Sequence, residues 1–191
     1  MELANYNKEN DREYMMQEEF IQDLSTKLYK ERIKKGYFEI VFLCIGTDKI
    51  TGDCFGPLVG SKLNKLLEKY NIFNINIYGT LKNNICYTNI EQTLKEIKNK
   101  HSKACIVVID AALSKKENIG KIFITNEKTI LGKGLNKGKI ETGDISIKAV
   151  VGKNYKMPIY NFEILQNISL GLVMDLSNIV SNGIFEVIKY T

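Results

Sequence analysis

The densest apolar run comes early in the chain. Ile40-Val41-Phe42-Leu43-Cys44-Ile45 stops at Gly46, a polar loop carrying Asp48 and Asp53 follows, and Pro57 opens a helical period through Leu58, Val59, Leu63, Leu66 and Leu67 to Tyr70. That pattern predicts a buried strand over 39–45, a loop at its C-terminal end, and a helix packed back on the sheet. A second strand is expected at Ile75–Tyr78, a second amphipathic helix over Thr88–Lys100 with Ile90, Leu94 and Ile97 inward, and a third strand at Ala104–Ile109 that ends on Asp110. The third run is continuous and rich in β-branched residues, which marks a central strand covered on both faces.

Further along, Ile119–Ile124 reads as a strand. The segment Gly132-Lys133-Gly134-Leu135-Asn136-Lys137-Gly138 lacks the Gly-Lys-Ser/Thr ending of a phosphate cradle and reads as a mobile loop over the strand ends. Asp144–Val151 alternates as another strand, and Tyr160–Ser181 reads as one long apolar helix stopping at Asn182-Gly183. Before the first strand, residues 1–11 have little to bury and are expected to be disordered. A helical period then runs from Asp11, its N-cap, to Gly36, its terminator, with Phe20, Leu24 and Leu28 among its apolar positions. The order β-α-β-α-β, then further strands and a helix, predicts a three-layer α/β/α sandwich with a mostly parallel central sheet. Residues 1–36 form an N-terminal polar tail and amphipathic helix, and residues 37–191 a single domain.

Composition narrows the classes. Apolar residues make up 44% and charged residues 26%, ordinary for a globular chain. The net charge of +5 is mild and its lysines are dispersed, so nucleic acid is not an expected partner. The polar N-terminus does not read as a signal peptide, and no apolar run is expected to span a membrane. The four cysteines lack CxxC spacing and there is one histidine, which disfavours zinc and fits a reducing, cytoplasmic setting. His101 falls before the third strand, at the end opposite Asp110, and reads as a surface residue.

The chemistry lies in two acids. Parallel strands deliver Asp53, in the loop after the first strand, and Asp110, at the end of the third, to one edge of the sheet, where ligands bind in open α/β folds. Two carboxylates in a low-dielectric cleft split their proton affinities, and such a pair can activate water and protonate a leaving amine, or hold a divalent metal. The plainer reading is that each caps a local turn or helix.

Cys44-Ile45-Gly46-Thr47-Asp48 and Thr51-Gly52-Asp53-Cys54-Phe55-Gly56-Pro57-Leu58-Val59-Gly60 together resemble the signature of the YyaC sporulation proteins, relatives of the spore germination protease. The likeness continues through Ile77–Leu81, Val108-Ile109-Asp110-Ala111, Lys133–Lys137, Gly143-Asp144-Ile145, Leu165-Gln166-Asn167 and Leu172-Val173-Met174. The resemblance implies a phosphorylase/hydrolase-like fold shared with the hydrogenase-maturation proteases, with Asp53 and Asp110 as the catalytic acids. Gly46, Thr47, Asp48, Gly52 and Ala111 would support them, and Glu141 would line the pocket. Hydrogenase-maturation enzymes hold nickel with two acids at these positions and a later histidine. This chain has no histidine after His101, so that triad is incomplete. No cofactor is expected, and any divalent metal would rest on Asp53 and Asp110.

The function implied is an endopeptidase of sporulation or germination that cleaves peptide or protein substrates, including spore proteins, with an aspartate pair. The setting would be the cytoplasm of the developing spore or mother cell. A catalytically inactive protease-fold protein that binds such a peptide is the alternative, and a metal-dependent amidohydrolase-like site is a third reading.

Overall fold

The computed structural model describes residues 2–73, 75–131 and 140–189, with side chains in the first helix described from Met16 onward. Five strands form the main sheet: β1 (Glu39–Cys44), β2 (Ile75–Tyr78), β3 (Ala104–Ser114), β4 (Ile122–Thr125) and β7 (Ile145–Lys153), in the order β2-β1-β3-β7-β4. The first four in that order run parallel, and β4 closes the edge antiparallel to β7. A two-stranded hairpin, β5 (Thr129–Leu131) and β6 (Ile140–Thr142), stands apart from the sheet.

Strand alternation assigns the two faces. Ile40, Phe42 and Cys44 of β1, with Cys105, Val107 and Ile109 of β3, enter one core shared with α1 (Glu2–Lys35), α2 (Phe55–Lys69) and α5 (Leu170–Ile188). Val41, Leu43, Ala104 and Val108 point the other way, into a smaller core under α3 (Ile90–Lys100) and the hairpin residue Leu131. Helices thus cover both faces of a mostly parallel sheet, as the apolar runs predict.

Several boundaries differ from the sequence reading. Helix α1 starts at Glu2, so the segment expected to be disordered is helical and Asp11 lies inside the helix rather than capping it. Glu2, Leu3, Ala4, Lys8 and Glu9, around the asparagines, are strong helix formers and sustain the extension. Phe20, Leu24 and Leu28 anchor this helix in the larger core. The apolar C-terminal segment is two helices, α4 (Pro158–Gln166) and α5, parted at Asn167–Ser169. Gly183 does not end α5: a Cβ there would lie 2.4 Å from a ring carbon of Phe20, so the glycine admits α1 against α5. By length and composition α5 could cross a membrane, contrary to the expectation that no run is apolar enough. Here Val173, Leu176, Val180 and Ile184 place it in the core. The glycine-rich segment 132–138 lies outside the described residues.

Strand β3 also passes Asp110 and continues to Ser114, paired throughout with β7. His101 does lie at the opposite end of β3, but it is no plain surface residue. Its side chain is 13% exposed, and its ring nitrogens meet Glu39 Oε2 at 2.8 Å and the Tyr78 hydroxyl at 3.1 Å.

Candidate active site

The chain makes its first two crossovers to opposite sides of β1. Strand β2 lies on one flank and β3 on the other, with α2 and α3 on opposite faces. The crevice between the C-terminal ends of β1 and β3 is therefore the topological switch point of the sheet. A cavity of about 240 Å³ opens there, lined by Gly46, Asp53, Cys86, Tyr87 and Asp110, with Ile45, Ile90, Ile130 and Leu131 as its apolar wall.

Close backbone contact builds the Asp53 side of the cavity. The Ile45 N–H donates to the Ile109 carbonyl at 2.8 Å, which ties the end of β1 to β3 beside Asp110. Gly46 then turns with φ of +139°, and a Cβ there would lie 1.9 Å from the Asp53 carbonyl oxygen. Only glycine lets the loop fold down this far. The Gly46 N–H donates to the Ile85 carbonyl (2.8 Å) and the Thr47 N–H to the Asp53 carbonyl (3.2 Å). Asp53 sits in a 3-10 turn, Gly52–Cys54, that runs straight into α2, and no side chain caps either element. The capping reading of Asp53 therefore fails.

The other expected supporting residues take distinct places. At Gly52 a Cβ would meet Leu165 Cδ2 at 2.8 Å, so this glycine seats the end of α4 against the Asp53 turn. Asp48 is exposed and outside the cavity; it accepts a hydrogen bond from the Asn84 amide and so joins the loop to the segment before α3. Ala111 follows Asp110 on β3, and its backbone N–H favours the ionised form of that acid. Glu141 does not line the cavity: it is exposed on β6, in register with Ile130. Its place beyond the glycine-rich loop carried the expectation, and the short β5–β6 hairpin turns it out to solvent.

Asp110 lies on the smaller-core face of β3, beyond Val108, at the point where β1 has ended and no longer covers it. Burial is the main cause that pushes its carboxyl up to about 7, and the charge of Asp53 adds to it. Lys148 and the Ala111 N–H act in the opposite sense. Burial also raises Asp53, but a hydrogen bond from the Thr47 N–H offsets part of that. The two acids are thus brought together in one cavity, with Asp110 the better proton holder near neutral pH.

Sequence reasoning missed Lys148, the in-register neighbour of Asp110 on β7. Its signal was available: a lysine interrupts the apolar strand Ile145–Val151, whose other residues are buried. Cys86 and Tyr87 were also missed, because a loop before a helix carries no periodicity to place it.

The donor set does not fit a nickel-type site. Among the described residues no three His, Cys, Asp or Glu side chains gather as ligands. Asp110 has an ammonium, Lys148, as a charged neighbour, which disfavours a bound cation there. His101 is engaged with Glu39 at the far end of the sheet.

Comparison with known proteins agrees with this architecture. A family model described as a protein of unknown function, DUF1256, matches residues 9–183. The uncharacterized protein YyaC of Bacillus subtilis (strain 168) is 32% identical over 145 residues, which cover 76% of this chain and 67% of that protein. Among solved structures, the [NiFe] hydrogenase maturation protease HycI from Thermococcus kodakarensis KOD1 superposes with a TM-score of 0.53 at 17% identity, covering 84% of this chain and 99% of HycI. HybD, a [NiFe] hydrogenase maturation protease of Thermococcus kodakarensis, is more distant, with a TM-score of 0.42 and 14% identity over 78% of this chain and 99% of HybD. The fold is therefore that of the hydrogenase maturation proteases, and by its sequence the chain belongs to the DUF1256 family, with YyaC as a relative.

Proposed function

We propose that this chain is an aspartate-dependent endopeptidase of sporulation or germination, working in the cytoplasm of the spore or mother cell on peptide or protein substrates such as spore proteins. The observation that carries the reading is the shared cavity of Asp53 and Asp110 at the switch point of the sheet. The resemblance to sporulation proteins supports the setting, and the protease fold of HycI is compatible with the chemistry.

The roles follow from the two environments. Asp53, whose ionised form the nearby Thr47 N–H favours, is the acid that ionises first and serves as base. Asp110, held up to about 7, keeps its proton and serves as acid. Asp53 takes a proton from water as the water oxygen bonds to the scissile carbonyl carbon. Asp110 gives its proton to the departing nitrogen as the C–N bond breaks. Proton return from Asp53 to Asp110 resets the pair.

The test is incubation of the chain with spore protein extract, followed by peptide mass analysis, for wild type and Asp110→Asn. New peptides formed by wild type and missing with Asp110→Asn are the expected result. Equal cleavage by both overturns the assignment. No cleavage by wild type, with a spore protein retained on the immobilised chain, favours the binding alternative.

A further inference from the structure

We propose that Lys148 is a positioning residue for the aspartate pair, a cation held beside Asp110 but out of ion-pair contact so that the two acids share a single proton. The inference rests on the aspartate-pair reading of the cavity and adds a third group to it.

Register and alternation place the residue. Lys148 is opposite Asp110 across the parallel β3–β7 pairing and opposite Phe123 across the antiparallel β4–β7 pairing. Side chains in register on neighbouring strands leave the same face of a sheet. Ile145, Ile147 and Ala149 point into the core under α1, α2 and α5, so Ser146 and Lys148 point to the cavity side. Ser146 confirms the direction by accepting a hydrogen bond from Thr129 Oγ1 of the hairpin at 2.8 Å.

Lys148 is the one residue of Ile145–Val151 that is not buried, and its in-register neighbour on β4, Phe123, offers no charge to pair with it. Lys148 forms no ion pair with any described residue, whereas Lys35, Lys100 and Lys27 each do. A direct ion pair with Asp110 would hold that acid ionised and remove it as a proton donor. A cation one step away instead offsets the repulsion between two acids without claiming either. Among the described residues, the groups that face Asp110 are Asp53 from the 3-10 turn, Lys148 from β7, and Cys86 and Tyr87 from the segment before α3. Strand β5 contributes only Ile130 and Leu131, and Glu141 on β6 is exposed. Among these residues Lys148 is the cation.

The experiment follows the Asp110 side-chain carboxyl by carbon NMR across pH in wild type, Lys148→Met and Lys148→Arg, with the peptide-cleavage pH profile measured in parallel. Lys148→Met should move the Asp110 titration upward by about one pH unit, a roughly ten-fold gain in proton affinity, and Lys148→Arg should restore it. The alkaline limb of cleavage should move with it. If Lys148→Met does not fold, Lys148→Gln gives the same neutralisation with a polar side chain. An Asp110 titration that stays put in the neutral variant overturns the role of Lys148, even if cleavage is seen. A shifted titration with no cleavage by wild type supports the role of Lys148 and overturns the peptidase reading.

Discussion

At the N-terminal end of the strands, Asp144 is engaged on both oxygens. Its Oδ1 accepts from Lys35 Nζ at 2.7 Å and from the Tyr37 hydroxyl at 2.9 Å, and its Oδ2 accepts from the Ile106 N–H at 2.9 Å. These bonds tie the end of α1 to β3 and β7, and Asp144 raises the proton affinity of Lys35. At the C-terminal end, Asp53 and Asp110 share a cavity, the charge of Asp53 acts on Asp110, and neither acid forms an ion pair with a described residue. Both ends of the sheet hold partly buried carboxylates. One end is satisfied and serves as a latch. The other is left wanting, and Asp110 retains its proton up to about 7, in the range where enzymes work.

Substitutions should separate the two ends. Asp53→Asn and Asp110→Asn should each lower peptide cleavage by about 10²-fold or more, the scale of a lost general acid or base, while the thermal transition stays cooperative. Cleavage rates on purified spore protein, with unfolding followed by circular dichroism, check this. Asp144→Ala should show the reverse: about 2–3 kcal/mol of lost stability in denaturant titration, from bonds to a charged group and from donors left unpaired, with cleavage per folded molecule unchanged. A loss of chemistry in Asp144→Ala at full stability would erase the distinction.

A smaller effect concerns pH. Folding raises the Asp110 proton affinity from the ordinary 3.8 to about 7, so the folded chain binds more protons than the unfolded chain across that window. The contribution of this group to stability therefore falls as pH rises from 3.8 to about 7. Asp110→Asn removes that slope and should be the more stable protein at pH 8 by about 2 kcal/mol, read from denaturant midpoints at pH 5 and pH 8. Smaller again is Gly183→Ala, which forces a methyl into the Phe20 ring and should cost about 1 kcal/mol, the low end of overpacking, with no change in the Asp110 titration.

Much of this comparison was legible in the sequence. The apolar runs gave β1, β2, β3 and β7 because buried parallel strands leave an unbroken hydrophobic record. Asp53 and Asp110 followed from chain order, since parallel strands bring their ends together. The course of β3 beyond Asp110 was hidden because Ala111–Ser114 pairs only with β7 and is half-buried, which weakens its pattern. The break at Asn167–Ser169 and the passage of α5 through Gly183 depend on packing against Gly152 and Phe20, contacts distant in sequence. The three-residue strands of the hairpin are too short to show a period, so Glu141 was given to the wrong surroundings. His101 looked exposed because its partners, Glu39 and Tyr78, come from other strands.

The central claim is that Asp53 and Asp110 act on one another as a pair, and the direct measurement is the Asp110 carboxyl titration by carbon NMR in wild type and Asp53→Asn. Wild type should be half-protonated near pH 7, and Asp53→Asn should lower that midpoint because it removes the neighbouring negative charge. An Asp110 that titrates near 3.8, its ordinary value, in both proteins would contradict the account.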